Sequence, residues 1–289
     1  MKLKFWQWYA CLTIIATINI IALIIFLVKI KAKDLYSKLC KYLAMPWVLE
    51  CAWRSFFPSL YLQRFVVWNV WMNAIFVDRC WACLGELSWS YQISNCLRQQ
   101  DIDINNAGLG TTWIQLSFGW LSFFSYVIAE CISYYNVATT NEWWAAAEVI
   151  VDGLAFLIMF PAALYLFIQQ WHYKWSSGKM FCLILAIITV VYPIYNIFID
   201  APMYMKRYKE DQGNHKKYLK FWPGLIDSFN RRIVTHEIKD WSDDMTWMLC
   251  YFLFGAWSGI VLMYAPHSKR PSSEDDNKNE PLLLQTTVL

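Results

Sequence analysis

The chain has 289 residues, of which 58% are hydrophobic, 18% aromatic and 16% charged, with a net charge of +3. Soluble domains average about 45 to 50% apolar and about 25% charged residues, so this composition excludes that class and points to a membrane protein. The small net charge also argues against a nucleic-acid partner. Many of the 18 Trp lie near the ends of apolar runs, among them Trp6, Trp8, Trp143, Trp144, Trp171, Trp175 and Trp241. Amphipathic rings at such places suit a bilayer headgroup layer.

A spanning helix needs roughly 20 apolar residues. Six runs meet that length, at 9–28, 75–98, 112–136, 144–168, 179–199 and 245–266. The expected fold is all-α, a polytopic transmembrane helix bundle of about six spans with an interfacial amphipathic segment. The first run, in residues 1–28, has Lys2 and Lys4 before it, Lys29, Lys31 and Lys33 after it, and no small-residue cleavage site. It reads as an uncleaved signal anchor with its N-terminus outside.

Residues 29–74 are expected in the cytosol. The stretch from Met45 to Asn73 is rich in Trp and Phe but also holds Glu50, Arg54, Gln63, Arg64 and Asn69, with Pro58 as a break. One or two amphipathic helices lying in the interface are expected there, with Glu50 and Arg54 pairing across one turn. A seventh span or a re-entrant segment is the alternative. With six spans, residues 29–74, 137–143 and 200–244 face the cytosol and hold 16 Lys and Arg against 8 on the other side. That asymmetry agrees with the positive-inside rule.

The main bundle, residues 75–266, carries charge inside its apolar runs: Asp78, Arg79, Glu86, Glu130, Glu148 and Asp152. A charged side chain near the bilayer centre costs on the order of 2.5 to 3.5 kcal/mol, so it faces a partner, a cavity or a ligand. At about 1.5 Å of rise per residue, Glu86, Glu130, Glu148 and Asp152 fall in one layer toward the cytosolic side. Glu148 and Asp152 share a helix face, and Ala145, Ala146, Ala147 and Gly153 are small enough to admit a neighbouring helix. Arg79 and Glu86 stand seven apart, so Arg79 is expected to pair with another helix. Five carboxylates against one arginine leave an excess that calls for protons or a cation. The plainer reading is that these groups only hold the bundle in register. Thr139 and Glu142 have capping-box spacing at the start of the fourth span.

Residues 200–244 form a basic loop with Lys206, Arg207, Lys209, Lys216, Lys217 and Lys220, followed by an apolar pattern around Leu225, Ile226, Phe229 and Ile233. Contact with anionic lipid headgroups suits this pattern, as does a purely topological role for the charge. Ser242, Asp243 and Asp244 read as the acidic first turn of the last span. Residues 267–289 form a polar tail, disordered by composition. Its Glu-Pro-Leu-Leu-Leu and terminal Thr-Thr-Val-Leu look like a dileucine sorting signal and a PDZ ligand.

His172, His215, His236 and His267 fall in loops without metal-ligand spacing, so no metal and no cofactor is expected. Cys80 and Cys83 have redox spacing, although nine scattered Cys favour small core residues.

From Gly119 to Pro266 the layout resembles a known family. Glu130 ends a Tyr-Val-Ile-Ala-Glu stretch, and Glu148 follows in the next run. Then come Phe160-Pro161, Lys174-Trp175, Tyr192, Pro193 and Asp200, and Trp257 in the last run. The order is similar to that of the emopamil-binding and sigma-2-receptor family of sterol isomerases and amine binders. The resemblance implies an intramembrane cavity with two acidic residues that holds a sterol or a cationic amphiphile. Tyr126 stands where the isomerase has a His, and Phe254 where it has an Asn, which bears on its proton shuttle. Residues before 110 fall outside the resemblance.

Three functions follow as expectations. The first is binding of a sterol-like lipid or cationic amphiphile, with or without proton-transfer catalysis, at Glu130, Glu148, Asp152, Glu86, Arg79, Tyr126 and Trp257. The second is a proton- or cation-coupled carrier using the same carboxylates. The third is a structural or trafficking protein. The expected partners are membrane lipids and a small molecule, in the endoplasmic reticulum or the plasma membrane.

Overall fold

A computed structural model describes residues 4–106, 112–171 and 175–264. The expected polar tail lies outside the described residues, as do His172, Lys174, Pro266 and His267. Helices dominate, and the only strands among the described residues are three two-residue pieces. Among the described residues, four helical stretches are long and apolar enough to cross a membrane: Phe5–Lys29, Glu142–Gln169, Ser177–Gly213 and Met245–Met263.

The bundle is built from α1 (Phe5–Lys29), α2 (Leu35–Phe56), α3 (Ile75–Asn106), α4 (Thr112–Thr139), α5 (Glu142–Gln169), α6 (Ser177–Tyr195) with α7 (Ala201–Gly213), and α10 (Met245–Cys250) with α11 (Ala256–Tyr264). From α1 to α6 each helix packs on the next in sequence, and α11 returns to pack on α2 and α1. The Tyr9 hydroxyl at the start of α1 donates to the Phe56 carbonyl at the end of α2. Seven helical stretches therefore alternate in direction. At the near end, where α1 begins, lie residues 57–74, 140–141 and 214–244. At the far end lie residues 30–34 and the turn after α5.

Local chemistry sets several boundaries. The Asp34 carboxylate accepts from the Ser37 backbone N–H and opens α2. The helix ends at Phe56 because Pro58 disfavours helical geometry in the residue before it. Asn141 and Ser176 cap α5 and α6 in the same manner as Asp34. The Asn141 cap replaces the expected Thr139–Glu142 box, since the Thr139 hydroxyl donates to Tyr135 instead.

Two stretches depart from the sequence expectation. Within residues 29–74, α2 packs against α1, α3 and α11 as a full member of the bundle, with Glu50 and Arg54 buried, rather than standing apart from it. Gly85 on α3 makes this approach feasible: a Cβ there would stand 2.6 Å from that of Glu50. The second departure is that the span expected to end at 199 continues. A π-helical segment, Asn196–Asp200, joins α6 to α7 without a break, and α8 (Phe221–Asn230) and the one-turn α9 (Ile238–Trp241) follow in the 200–244 region. With α2 antiparallel to α1, Lys29, Lys31, Lys33, Lys38 and Lys41 move to the far end. The charge asymmetry that set the orientation no longer discriminates between the two faces.

Two apolar clusters form the core. One joins α1, α2 and the last helix through Trp8, Leu12, Trp47, Phe252 and Ile260. The other joins α3 to α6 through Leu97, Phe156, Met159, Leu166 and Leu185. Trp47 stacks on Trp89 at 4.9 Å and donates its indole N–H to the Gly255 carbonyl. Gly255 ends a second π-helical segment, Tyr251–Gly255, between α10 and α11. Asn19 donates to the Phe252 carbonyl at 2.9 Å, so side chains of α1 and α2 engage carbonyls of this segment.

The hairpin between α2 and α3 pairs β1 (Ser59–Leu60) with β2 (Phe65–Val66), and β2 pairs in parallel with β3 (Ile233–Val234). Arg64 turns the hairpin at φ 60°. Its guanidinium reaches Asp227 on α8 at 3.0 Å and the Tyr61 carbonyl at 2.8 Å. The non-glycine strain at this turn is thus held by tertiary bonds.

Candidate functional site

Charge concentrates at the near-end half of the bundle. Arg54 on α2 reaches Glu50 at 2.8 Å, Asp78 at 3.6 Å and Glu86 at 3.8 Å. Arg79 on α3 pairs with Glu86 at 3.0 Å, with Glu130 on α4, and with Glu148 on α5 at 3.8 Å. Glu86 therefore bridges both guanidiniums, and the Tyr251 hydroxyl donates to it at 2.8 Å. The Ser59 hydroxyl donates to Asp78 and the Asn136 amide to Glu148. The Tyr61 ring lies 5.6 Å from the Arg54 guanidinium carbon and 6.0 Å from that of Arg79. Trp247, Tyr251 and Phe252 complete an aromatic surround for Arg54, a favourable setting for a guanidinium out of water.

A cavity of about 200 Å³ opens beside this network. Its inner wall carries Arg54, Arg79, Glu86, Glu148 and Asp152; the hairpin contributes Ser59 to Gln63; and Tyr192, Tyr195, Tyr204 and Tyr251 stand around it. Both π-helical segments contribute, through Ile199 and Asp200 in one and Tyr251 in the other. Such segments recur at functional sites because they re-aim side chains within a helix. Gly153 on α5 faces the backbone of Pro193 and the side chain of Asn196, as the small-residue reading of that face expects. Asn196 in turn donates to the Val149 carbonyl at 2.9 Å. These contacts fix α5 against α6 where Asp152 meets the cavity.

Asp152 differs from its neighbours: among the described residues it has no hydrogen-bond or ion-pair partner. It lies ten residues into α5 from Glu142, about 15 Å from that end, while the whole helix is about 42 Å long. At the mouth, Arg207 pairs with Asp243 at 3.0 Å, and the Asp243 side chain is 65% exposed. Asp244 stands beside them, and burial lifts its carboxyl to about 6. Asp243 and Asp244 are lining groups here, and the Asp244 side chain makes no capping bond to the last helix.

Of the residues proposed from sequence, Arg79, Glu86, Glu148 and Asp152 line the cavity, and Glu130 lies behind its wall as a partner of Arg79. Tyr126 and Trp257 do not line it. Tyr126 is buried against Phe156, and Trp257 packs on the cluster of α1, α2 and the last helix. The expectation that Arg79 cannot reach Glu86 is incorrect. Two turns separate their backbones by about 10 Å along the axis, and two long side chains close that gap. Glu50 and Arg54 were legible as a pair but not as members of the site. The missing signal was Gly85, which pairs with no motif of its own. Cys80 and Cys83 remain free thiols, and the Tyr134 hydroxyl meets Cys80 at 3.5 Å.

The arrangement comprises six carboxylates and two guanidiniums in close proximity. Each arginine is ion-paired to three carboxylates, and carboxylates outnumber guanidiniums in the arrangement six to two. Comparison with family models, with curated proteins and with solved structures finds no match to this chain.

Proposed function

We propose that this is a multi-pass membrane protein whose cavity binds a cationic group, such as the ammonium head of an amine or of a cationic amphiphile. The observation that carries the reading is Asp152, a carboxylate without a partner in a cavity whose three arginines, Arg54, Arg79 and Arg207, are already engaged. Negative charge in so enclosed a place calls for protons or a bound cation. The tyrosines around the cavity offer ring faces to an ammonium as well. Pockets that enclose drug-sized ligands run about 300 to 1,000 Å³. The smaller and more polar volume here supports the cationic head rather than a sterol body as the group held. The resemblance to the emopamil-binding family implies the same acid-lined cavity, with Glu148 as the acid common to both readings.

In the bilayer we place all seven helical stretches across the membrane, the charged α2 and α3 being shielded by the more apolar α1, α5, α6 and last helix. This replaces the six-span expectation and puts the cavity in the near-end half of the membrane, opening toward residues 200–244. Saturable binding of a trimethylammonium amphiphile to the protein in nanodiscs, absent for its uncharged tert-butyl isostere, is the expected result. Equal binding of both compounds contradicts the reading.

A second reading has its own support. Asp200, Asp243, Asp244 and Arg207 continue the polar lining from Asp152 to the exposed mouth. A chain of titratable groups of this kind is what a proton- or cation-coupled carrier uses. Uptake of the amine into liposomes that depends on an imposed pH gradient would favour it; binding without uptake would favour the receptor-like reading.

A further inference from the structure

We propose that α8 and its flanks form a docking surface for anionic phospholipid headgroups of the bilayer that holds the bundle, an inference that rests on the membrane reading above but not on the cavity ligand. The helix is amphipathic in an inverted sense. Its small residues, Gly224 and Ser228, are buried against the bundle, while Trp222, Ile226 and Phe229 point outward with exposures of 72%, 64% and 43%. Positions 222, 226 and 229 form one stripe of a helix.

The orientation is fixed. A Cβ at residue 224 would collide with the Ala138 carbonyl of α4, so only glycine lets α8 lie this close. The Leu219 N–H donates to the Thr139 carbonyl at 3.1 Å, Asp227 holds Arg64, and the Ile233 N–H donates to the Arg64 carbonyl at 2.8 Å. Turning α8 to bury its apolar stripe would break all of these. The stripe therefore needs an apolar medium outside the chain.

Charge complementarity identifies that medium. Lys217 and Lys220 precede α8 and Arg231 follows it; all three are exposed, and no ion pair engages them among the described residues. Trp6, Trp71 and Trp143 are exposed at the same end of the bundle. An outward apolar stripe flanked by free cations, level with a belt of Trp, matches the boundary between acyl chains and anionic headgroups. A protein partner would leave the belt unexplained.

The test is hydrogen–deuterium exchange of residues 219–231 in the full-length protein, in phosphatidylcholine nanodiscs with and without phosphatidylglycerol. Exchange is expected to slow in the anionic nanodiscs, and the difference should shrink as salt rises. Lys217→Gln, Lys220→Gln and Arg231→Gln should each cost about fivefold of that protection at low salt. Trp222→Ser combined with Ile226→Ser should remove protection in both lipids, which separates loss of the apolar stripe from loss of charge. Equal exchange in the two lipids, or protection indifferent to the three Gln substitutions, would overturn the proposal. Binding of the cationic probe is read separately, so failure here leaves the cavity reading standing.

Discussion

The two ends of the bundle are made from largely the same helices but are held together differently. At the far end, α3 packs through Ile93, Cys96 and Leu97 against α5 and α6 residues such as Leu166 and Cys182. At the near end the same α3 presents Asp78, Arg79 and Glu86 to charged groups of α2, α4 and α5. Apolar contacts and a few neutral side-chain hydrogen bonds, from Gln92 to the Cys40 and Gly259 carbonyls and from Ser94 to the Gly119 carbonyl, hold α3 at the far end, so packing alone does not require six carboxylates and two arginines at the near end. Buried ion pairs are weak evidence for stability, because desolvation offsets much of their attraction. The difference favours a role for the near-end charge beyond cohesion.

The sharpest way to break this contrast is Arg79→Gln. It leaves Glu86, Glu130 and Glu148 without their shared guanidinium, and an unpaired buried charge costs about 3 to 5 kcal/mol. Thermal unfolding in detergent should show a large loss, partly restored by adding Glu130→Gln. A variant as stable as wild type would mean that the network is not dry. At the far end, Leu166→Ala should cost about 2 kcal/mol through lost contacts and a cavity. Binding of the cationic probe should survive that change unaltered, and a matching loss of affinity would blur the distinction between the ends.

Smaller effects concern the cavity itself. Asp152→Asn removes a charge that has no partner, so stability should stay within about 1 kcal/mol of wild type. Affinity for the cationic probe should nevertheless fall by about tenfold or more, about 1.4 kcal/mol of binding. The pH response at the mouth is smaller still. The Asp244 carboxyl stands near 6 in the folded chain against an ordinary value of 3.8. Its folded form holds the proton more tightly, so this contribution to stability is fully present below about pH 4 and is lost as pH rises through about 6. Binding runs the other way, because deprotonation adds negative charge at the mouth. Probe affinity should rise between about pH 5 and 7, and Asp244→Asn should flatten that rise.

Hydropathy located α1, α3, α4, α5, α6 and the last helix, because apolar runs of sufficient length leave few alternatives in a chain of this composition. It did not place α2 in the bundle. Lys38, Lys41, Glu50 and Arg54 dilute its apolar content, and the partners besides Glu50 that make the burial of Arg54 tolerable, Asp78 and Glu86, come from 24 or more residues later. Losing α2 also misplaced its flanking lysines, and with them the charge asymmetry on which the orientation rested.

Within the site, helical rise put Glu86, Glu130, Glu148 and Asp152 in one layer and pointed Arg79 to a partner on another helix, but it did not foresee the Arg79–Glu86 pair. Tyr251 lies in a π-helical segment, whose geometry shifts the face a helix presents and leaves no mark in residue periodicity. Tyr126 and Trp257 entered through the family resemblance alone, and the helix faces that carry them pack into apolar clusters instead.

The most direct test of the central claim is equilibrium binding of the trimethylammonium amphiphile to wild type and Asp152→Asn in identical nanodiscs, with thermal unfolding measured on both. The account predicts equal stability, saturable binding by wild type, and affinity lost in the variant. Undiminished binding by a well-folded Asp152→Asn protein would contradict it.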